Sequence, residues 1–393
     1  MTSRVLISDS PATMSFPEGG ASGERGADET PKSHRRVRYT VYALELAGED
    51  DGFAAAEAAS AATGVEVVAP GLATANAVTD RVRTLAYTRR ASELVGKTDA
   101  SVESARVLLE ACECDPEETA SGSDAANPDC GEMGTNSKET VAVRARDVRE
   151  TAGIDTQRAE RVLGQTLVDR GFAVDLDDPD RELRALFSAD TCLLGWLETE
   201  SVRDYGTRKP TDRPFFQPGG MDPLLARALV NLAGARPGAT LLDPMCGTGG
   251  VLIEAGLVGA TPLGADAQRK MARGAAENLG HYLSADEEWG TLQGDATHLP
   301  LSADSIDAVV FDAPYGRQSK IANLDLDDLV SGALAEARRV ADRAVVVGDR
   351  SLAPEARAEG WTVEAEFERR VHRSLVRYIT VLDDADAGPV GRD

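Results

Sequence analysis

The chain has 393 residues, 42 % of them hydrophobic, and sets 66 acidic against 42 basic side chains for a net charge of −24. That length and apolar content suit two or three globular domains. No apolar run is long enough to span a bilayer and no basic-then-apolar segment opens the chain, so a monomeric cytoplasmic protein with no membrane association is expected.

Such acidity argues against a nucleic-acid partner only at low salt. Six of the 42 basic residues are lysine, and the acids are spread along the chain, a pattern suited to a cytoplasm at molar salt. At about 1 M salt the Debye length is roughly 3 Å, so overall repulsion of RNA is screened. Five cysteines (Cys112, Cys114, Cys130, Cys192 and Cys246) make no even framework, so reduced thiols and no metal site are expected.

Residues 1–35 lack apolar periodicity and read as a disordered tail. Alternation through Tyr39, Val41, Ala43 and Glu45 predicts a strand, and Phe53 to Ala62 a helix entered through acids. The runs GVEVVAPG and RTLAYTRRASEL add strands, closing a small α/β unit over 36–98. Residues 113–138, acidic and rich in small side chains, read as a disordered insertion. Then ETVAVRARDV predicts a strand, and DTQRAERVLGQTLVDRG a helix capped by Asp155 and stopped by Gly171. The stretch from Phe172 to Glu198 predicts two strands around an Asp-Asp-Pro-Asp turn.

From about residue 206 strands and helices alternate. Strands are predicted at Thr240–Asp243, Pro262–Asp266, Thr291–Gln293, Asp307–Phe311 and Arg343–Val347, with a closing pair near Val363–Arg370 and Leu375–Leu382. Helices such as Ala272–Leu283 and Asp325–Val340 fall between them. The alternation predicts a doubly wound, mostly parallel sheet with its ligand at the carboxyl ends of the strands.

The first of these strands runs into Asp243-Pro244-Met245-Cys246-Gly247-Thr248-Gly249. The glycine spacing does not suit a dinucleotide loop, and the lysine of a P-loop is absent. An acid before two glycines suits S-adenosylmethionine: Asp243 can accept from its ammonium, and Gly247 and Gly249 admit the ligand close to the backbone. Asp266, after the second strand, can take the ribose hydroxyls. Asp295, after the third, can accept from the adenine amine. The fourth strand ends in Asp312-Ala313-Pro314-Tyr315-Gly316. There a carboxylate and the Ala313 carbonyl can accept the N–H groups of a base amine, Pro314 can stiffen the turn, and Tyr315 can stack on the base.

These motifs, with RKPTDRPFFQPGGMDPLLARALVNLAG before them, resemble the archaeal tRNA guanine-N2 methyltransferases that act at position 10. The likeness spans residues 36 to 384 and is strongest over 206–320. It implies a Rossmann-like class I methyltransferase domain with a seven-stranded sheet over 206–384. A ferredoxin-like unit (36–98) and an RNA-binding THUMP domain (99–205) would precede it, and a tail (385–393) would follow. It further implies S-adenosyl-L-methionine as donor, tRNA as partner, and one or two methyl transfers to guanine N2. By position, Phe216, Pro218, Gly219 and Met221 resemble the segment that closes over the methionine end of the donor. Asp243, Cys246, Gly247, Gly249, Asp266 and Asp295 fall on donor-binding positions, and Asp312, Ala313, Pro314 and Tyr315 on the catalytic turn. Asp222 and Pro223 would start the intervening helix. The family turn is Asp-Pro-Pro-Tyr; Ala313 keeps the carbonyl of the first proline without its ring.

The Asp-x-Pro-Tyr turn also serves methyltransferases of other tRNA guanines, of ribosomal RNA and of DNA adenine, and an RNA-binding protein without activity is a further alternative. Arg144, Arg146, Arg149, Arg158 and Arg161 are the candidate RNA contacts. The catalytic half is expected to bind the donor without residues 1–204.

Overall fold

The computed structural model describes residues 40–112, 138–314, 326–372 and 375–384. The expected tails, nearly all of the 113–138 insertion, and Tyr315 lie outside them. No helix among the described residues is long and apolar enough to cross a membrane.

The first half contains β1 (Tyr42–Leu46), α1 (Asp51–Ala58), β2 (Ala62–Thr63), β3 (Glu66–Ala69), β4 (Leu72–Ala75), β5 (Ala77–Val78) and β6 (Thr88–Asp99). It continues with α2 (Val102–Ala111), β7 (Thr140–Asp147), α3 (Thr156–Asp169), β8 (Ala173–Val174), β9 (Arg181–Ser188) and β10 (Thr191–Glu200). Side chains start the helices: Asp50, Ser101 and Asp155 each accept a backbone N–H three residues on, at 3.0 Å. One eight-stranded sheet runs through this half in the order β3-β4-β1-β6-β10-β9-β7-β8. The long strand β6 joins its two parts, pairing with β1 on one side and β10 on the other.

Three strands, not two, follow α3. The Asp-Asp-Pro-Asp segment is not a hairpin turn. Asp175 accepts the N–H groups of Asp177 and Asp178, and Asp180 is bound to Thr140 on β7. Consequently β8 and β9 lie on opposite sides of β7, both parallel to it. The hairpin joins β9 to β10 and turns at Ala189, φ +50°. Cys112 is disulfide-bonded, which corrects the expectation of reduced thiols throughout; Cys192 and Cys246 are free and buried.

The second half contains α4 (Pro223–Leu232), β11 (Thr240–Asp243), α5 (Gly250–Leu257), β12 (Thr261–Asp266), α6 (Arg269–Tyr282), β13 (Gly290–Gln293) and β14 (Ala308–Asp312). It ends with α7 (Leu326–Val340), β15 (Arg343–Gly348), α8 (Ala353–Ala358), β16 (Trp361–His372) and β17 (Leu375–Asp384). Its seven-stranded sheet has the order β13-β12-β11-β14-β15-β17-β16. Neighbours from β13 to β15 are parallel, and β17 is antiparallel to both of its neighbours. After β11 the chain moves outward to β12 and β13, then returns to β14 on the other side. That reversal opens a crevice at the carboxyl ends of β11 and β14.

Alternate residues along these strands enter different cores. Leu241, Val310, Val345 and Ile379 pack on one face with α4, while Leu242, Phe311, Val346 and Leu382 meet α7 on the other. Coverage on both faces explains the continuous apolar runs of β14 and β15. The first core is shared with the other half of the chain: Leu44, Phe53 and Val82 belong to it along with Leu229 and Val345. Phe53 stands edge-on to Tyr87 and to Phe367 of β16, with ring centroids 5.1 and 5.2 Å apart.

Candidate active site

Three carboxylates meet at the carboxyl edge of the seven-stranded sheet. Asp243 ends β11, is 3 % exposed, and accepts the Met245 N–H at 3.0 Å. Burial pushes this carboxyl well above the usual carboxylate range. The Met245 N–H opposes the shift, while the nearby Asp266 and Asp312 carboxylates add to it. Asp266 ends β12 and accepts the N–H groups of Gly247 at 3.1 Å and Gln268 at 2.8 Å. Burial raises its carboxyl too, against these two donors. Asp312 ends β14, and Nη2 of Arg377 donates to its Oδ2 at 3.3 Å.

Between the first two acids lies the glycine turn. Gly247 has φ +53°, and a Cβ there would meet nothing nearer than the Met271 Cε at 3.8 Å, so its surface faces open space. Gly249, φ +77°, caps α5 in a left-handed conformation. A Cβ on it would lie 3.2 Å from the Ala275 Cβ, so glycine also sets how closely α5 approaches α6. Cys246 is buried, with its N–H on the Ala265 carbonyl and its thiol pushed up chiefly by burial.

The segment from Arg213 to Met221 is tied to this turn by two residues that sequence reasoning missed. Asn278 of α6, fully buried, accepts the Phe215 N–H and donates to the carbonyls of Phe215 and Thr248, each at 2.9 Å. Arg213, also buried, reaches the Thr248 hydroxyl at 3.2 Å and the Met221 carbonyl at 3.4 Å. An asparagine on the stripe Ala272, Ala275, Leu279 was the available signal, because an amide on an apolar helix face needs partners. Within the tied segment Met221 is buried and Phe216 is 44 % exposed, and Gly219 takes φ +95° with nothing within 4 Å of a Cβ. Pro218 lies between them in the chain. Asp222 then caps α4 through the Leu224 N–H at 3.0 Å, with Pro223 in the first turn.

Asp295 stands apart from the buried acids. Its side chain is 54 % exposed and accepts the Thr297 N–H and hydroxyl at 2.9 and 2.8 Å, bonds that hold its carboxyl below the usual range. Ala313 is buried and its N–H goes to the Val347 carbonyl at 2.8 Å, which fixes the Asp312–Ala313 peptide at the end of β14.

The five candidate RNA-contacting arginines do not form one patch. Val141 and Val143 of β7 pack against α3, so Arg144 and Arg146 lie on the opposite sheet face from Arg158 and Arg161. Four of them meet acids: Arg144 Glu182, Arg146 the buried Glu45, Arg149 Asp51 and Arg158 Glu103. Arg161 reaches the Gln157 carbonyl at 3.2 Å.

Buried carboxylates in one another's field repel a pyrophosphate and favour a cation. S-adenosylmethionine fits that demand, since it brings an ammonium and a sulfonium charge, and the open face of Gly247 gives it room. The strand order, the switch point and the acid-then-glycine turn define a Rossmann-like, S-adenosylmethionine-dependent methyltransferase.

The RMKL-like methyltransferase domain family matches residues 210–379. The tRNA (guanine(10)-N2)-dimethyltransferase of Methanothermobacter thermautotrophicus is 36 % identical over 256 residues, covering 63 % of this chain and 74 % of the relative. The enzyme of the same name from Pyrococcus abyssi is 30 % identical over 251 residues, with coverage of 63 % and 74 %. Among solved structures, TrmN from Thermus thermophilus aligns over 88 % of this chain and 99 % of its own, with TM-score 0.44 and 21 % identity. The chain belongs to the tRNA (guanine(10)-N2)-dimethyltransferase family.

Proposed function

We propose that this protein methylates the exocyclic amine of guanine 10 in tRNA, adding one or two methyl groups. The observation that carries the reading is the convergence of Asp243, Asp266 and Asp312 on the crevice where the strand order reverses. S-adenosylmethionine supplies an electrophilic methyl group on its sulfonium. Asp243 would hold the cationic methionine end, Asp266 the ribose hydroxyls and Asp295 the adenine amine. Gly247 and Gly249 admit the ligand to the backbone. Cys246 lines the turn, and Phe216, Pro218, Gly219 and Met221 close over it, moored by Asn278 and Arg213.

A guanine amine is a poor nucleophile because its lone pair is delocalised into the ring. Accepting its N–H groups at the Asp312 carboxylate and the Ala313 carbonyl orients the nitrogen and favours a tetrahedral geometry. The methylated nitrogen is cationic and sheds its proton readily, so Asp312 need not be a strong base. Pro314 would stiffen the turn and Tyr315, outside the described residues, would stack on the base.

Residues 36–98 would form a ferredoxin-like unit, 99–205 a THUMP module that grips tRNA, and 206–384 the catalytic domain of a monomeric, cytoplasmic enzyme. The core shared by Phe53 and Val345 supports a fixed seat for the ferredoxin-like unit against the catalytic domain. Mass spectrometry of tRNA nucleosides from a deletion strain tests the proposal. Loss of N2-methylated guanine at position 10 is expected; an unchanged nucleoside profile would contradict it.

A further inference from the structure

We propose that Arg377 is a positioning residue for methyl transfer: from the β16–β17 hairpin it fixes the direction of the Asp312 carboxylate as the acceptor for the incoming amine. The proposal rests on the role given to Asp312 above.

Register places Arg377 there. Asp312 lies beside Val347 of β15, and Val347 beside Ile379 of β17. Arg377 is two residues before Ile379, on the same face and one step further out, where β17 passes the carboxyl end of β15. It is 6 % exposed, and its Nη2 meets the Asp312 Oδ2 at 3.3 Å. The terminal torsion of an aspartate is broad, so a carboxylate at the mouth of a crevice needs an anchor to point one way. Here the need is sharper, because Asp243 and Asp312 lie in each other's field and turn apart once Asp243 ionises. A guanidinium on Asp312 opposes that turning.

The anchor is itself anchored. Arg369 of β16 pairs in register with Arg377, and two cations directly opposite would repel. Each has its own partner. Arg377 takes Asp312, while Arg369 stacks over the rings of Phe53 and Tyr87, 4.9 and 4.7 Å from their centroids, and donates to the Tyr87 hydroxyl at 2.9 Å. The N-terminal half thus braces the hairpin that carries Arg377.

The test measures steady-state methylation of tRNA by the full-length chain and its Arg377→Met, Arg377→Lys, Asp312→Asn and Arg377→Met/Asp312→Asn variants. Calorimetric donor affinity and thermal unfolding are recorded for each. We expect Arg377→Met to lower kcat about ten- to a hundredfold with KM for tRNA and donor affinity nearly unchanged. Arg377→Lys should recover part of the loss, and the double variant should be no slower than Asp312→Asn alone. A normal kcat for Arg377→Met, or losses that multiply in the double variant, would overturn the proposal while leaving the role of Asp312 standing. Parental activity in Asp312→Asn would overturn that role and the proposal together.

Discussion

Nδ2 of Asn231 on α4 donates to Oε1 of Glu57 on α1 at 2.7 Å, joining the two halves of the chain inside the protein. The same carboxylate accepts the backbone N–H groups of Ala86 and Tyr87, each at 2.6 Å. Glu57→Ala would leave the buried Ala86 and Tyr87 N–H groups without their partner and Asn231 with the Thr84 carbonyl alone, a loss on the order of 3 kcal/mol. Denaturant unfolding should show that loss as one cooperative transition; two separated transitions would mean that the halves fold independently. For the same reason, removing residues 1–204 is not a clean test of the N-terminal half. It would strip Leu44, Phe53 and Val82 from the core that holds Leu229 and Val345.

The buried Asp243 predicts how stability depends on pH. A carboxyl raised by burial binds its proton more tightly folded than unfolded, so its contribution is intact at low pH and is lost as pH rises through the raised value. Asp266 acts in the same direction. The ligand-free melting temperature should therefore fall from about pH 4 upward, and stabilisation by S-adenosylmethionine should grow over the same range. Asp243→Asn should flatten both curves in scanning fluorimetry. A variant with the parental pH dependence would show that Asp243 is not the group responsible.

Asp266→Ala should weaken donor binding by about 1–3 kcal/mol through lost charge-assisted hydrogen bonds to the ribose. Calorimetry with parental affinity would remove the ribose role from this strand end.

Asp312→Ala should bind the donor almost normally and transfer methyl groups at least about a hundredfold more slowly. Near-parental single-turnover rates would place the amine acceptor elsewhere.

Asn278→Leu removes three hydrogen bonds between α6, the Phe215 segment and the glycine turn. We expect a stability loss of about 2–4 kcal/mol and donor affinity reduced about tenfold, because the closing segment loses its mooring. Weakened stability with parental affinity would separate that mooring from donor binding.

What could be read in advance follows the range of the interactions involved. The strands of the second half were legible because coverage on both faces makes them short apolar runs, and Asp243, Asp266 and Asp312 each end one. The Asp222 and Asp155 caps are local and were equally visible. Helix α2 is absent from the elements predicted from sequence although Ser101 caps it locally. The proline of the Asp-Asp-Pro-Asp segment outweighed the weaker turn signal at Ala189, so the hairpin was misplaced. Arg213, Asn278 and Arg377 act across 35, 63 and 65 residues of chain. Local pattern marks at most the need for a partner, as at Asn278 on its apolar stripe; only the fold brings the partners together.

The central claim is tested most directly by supplying the purified full-length protein with methyl-labelled S-adenosylmethionine and unmodified tRNA, then mapping the label by nuclease digestion and mass spectrometry. The account predicts N2-methylated guanine at position 10, formed by the parent chain and nearly absent with Asp312→Ala. Label at another atom or position, or equal labelling by the Asp312→Ala variant, would contradict it.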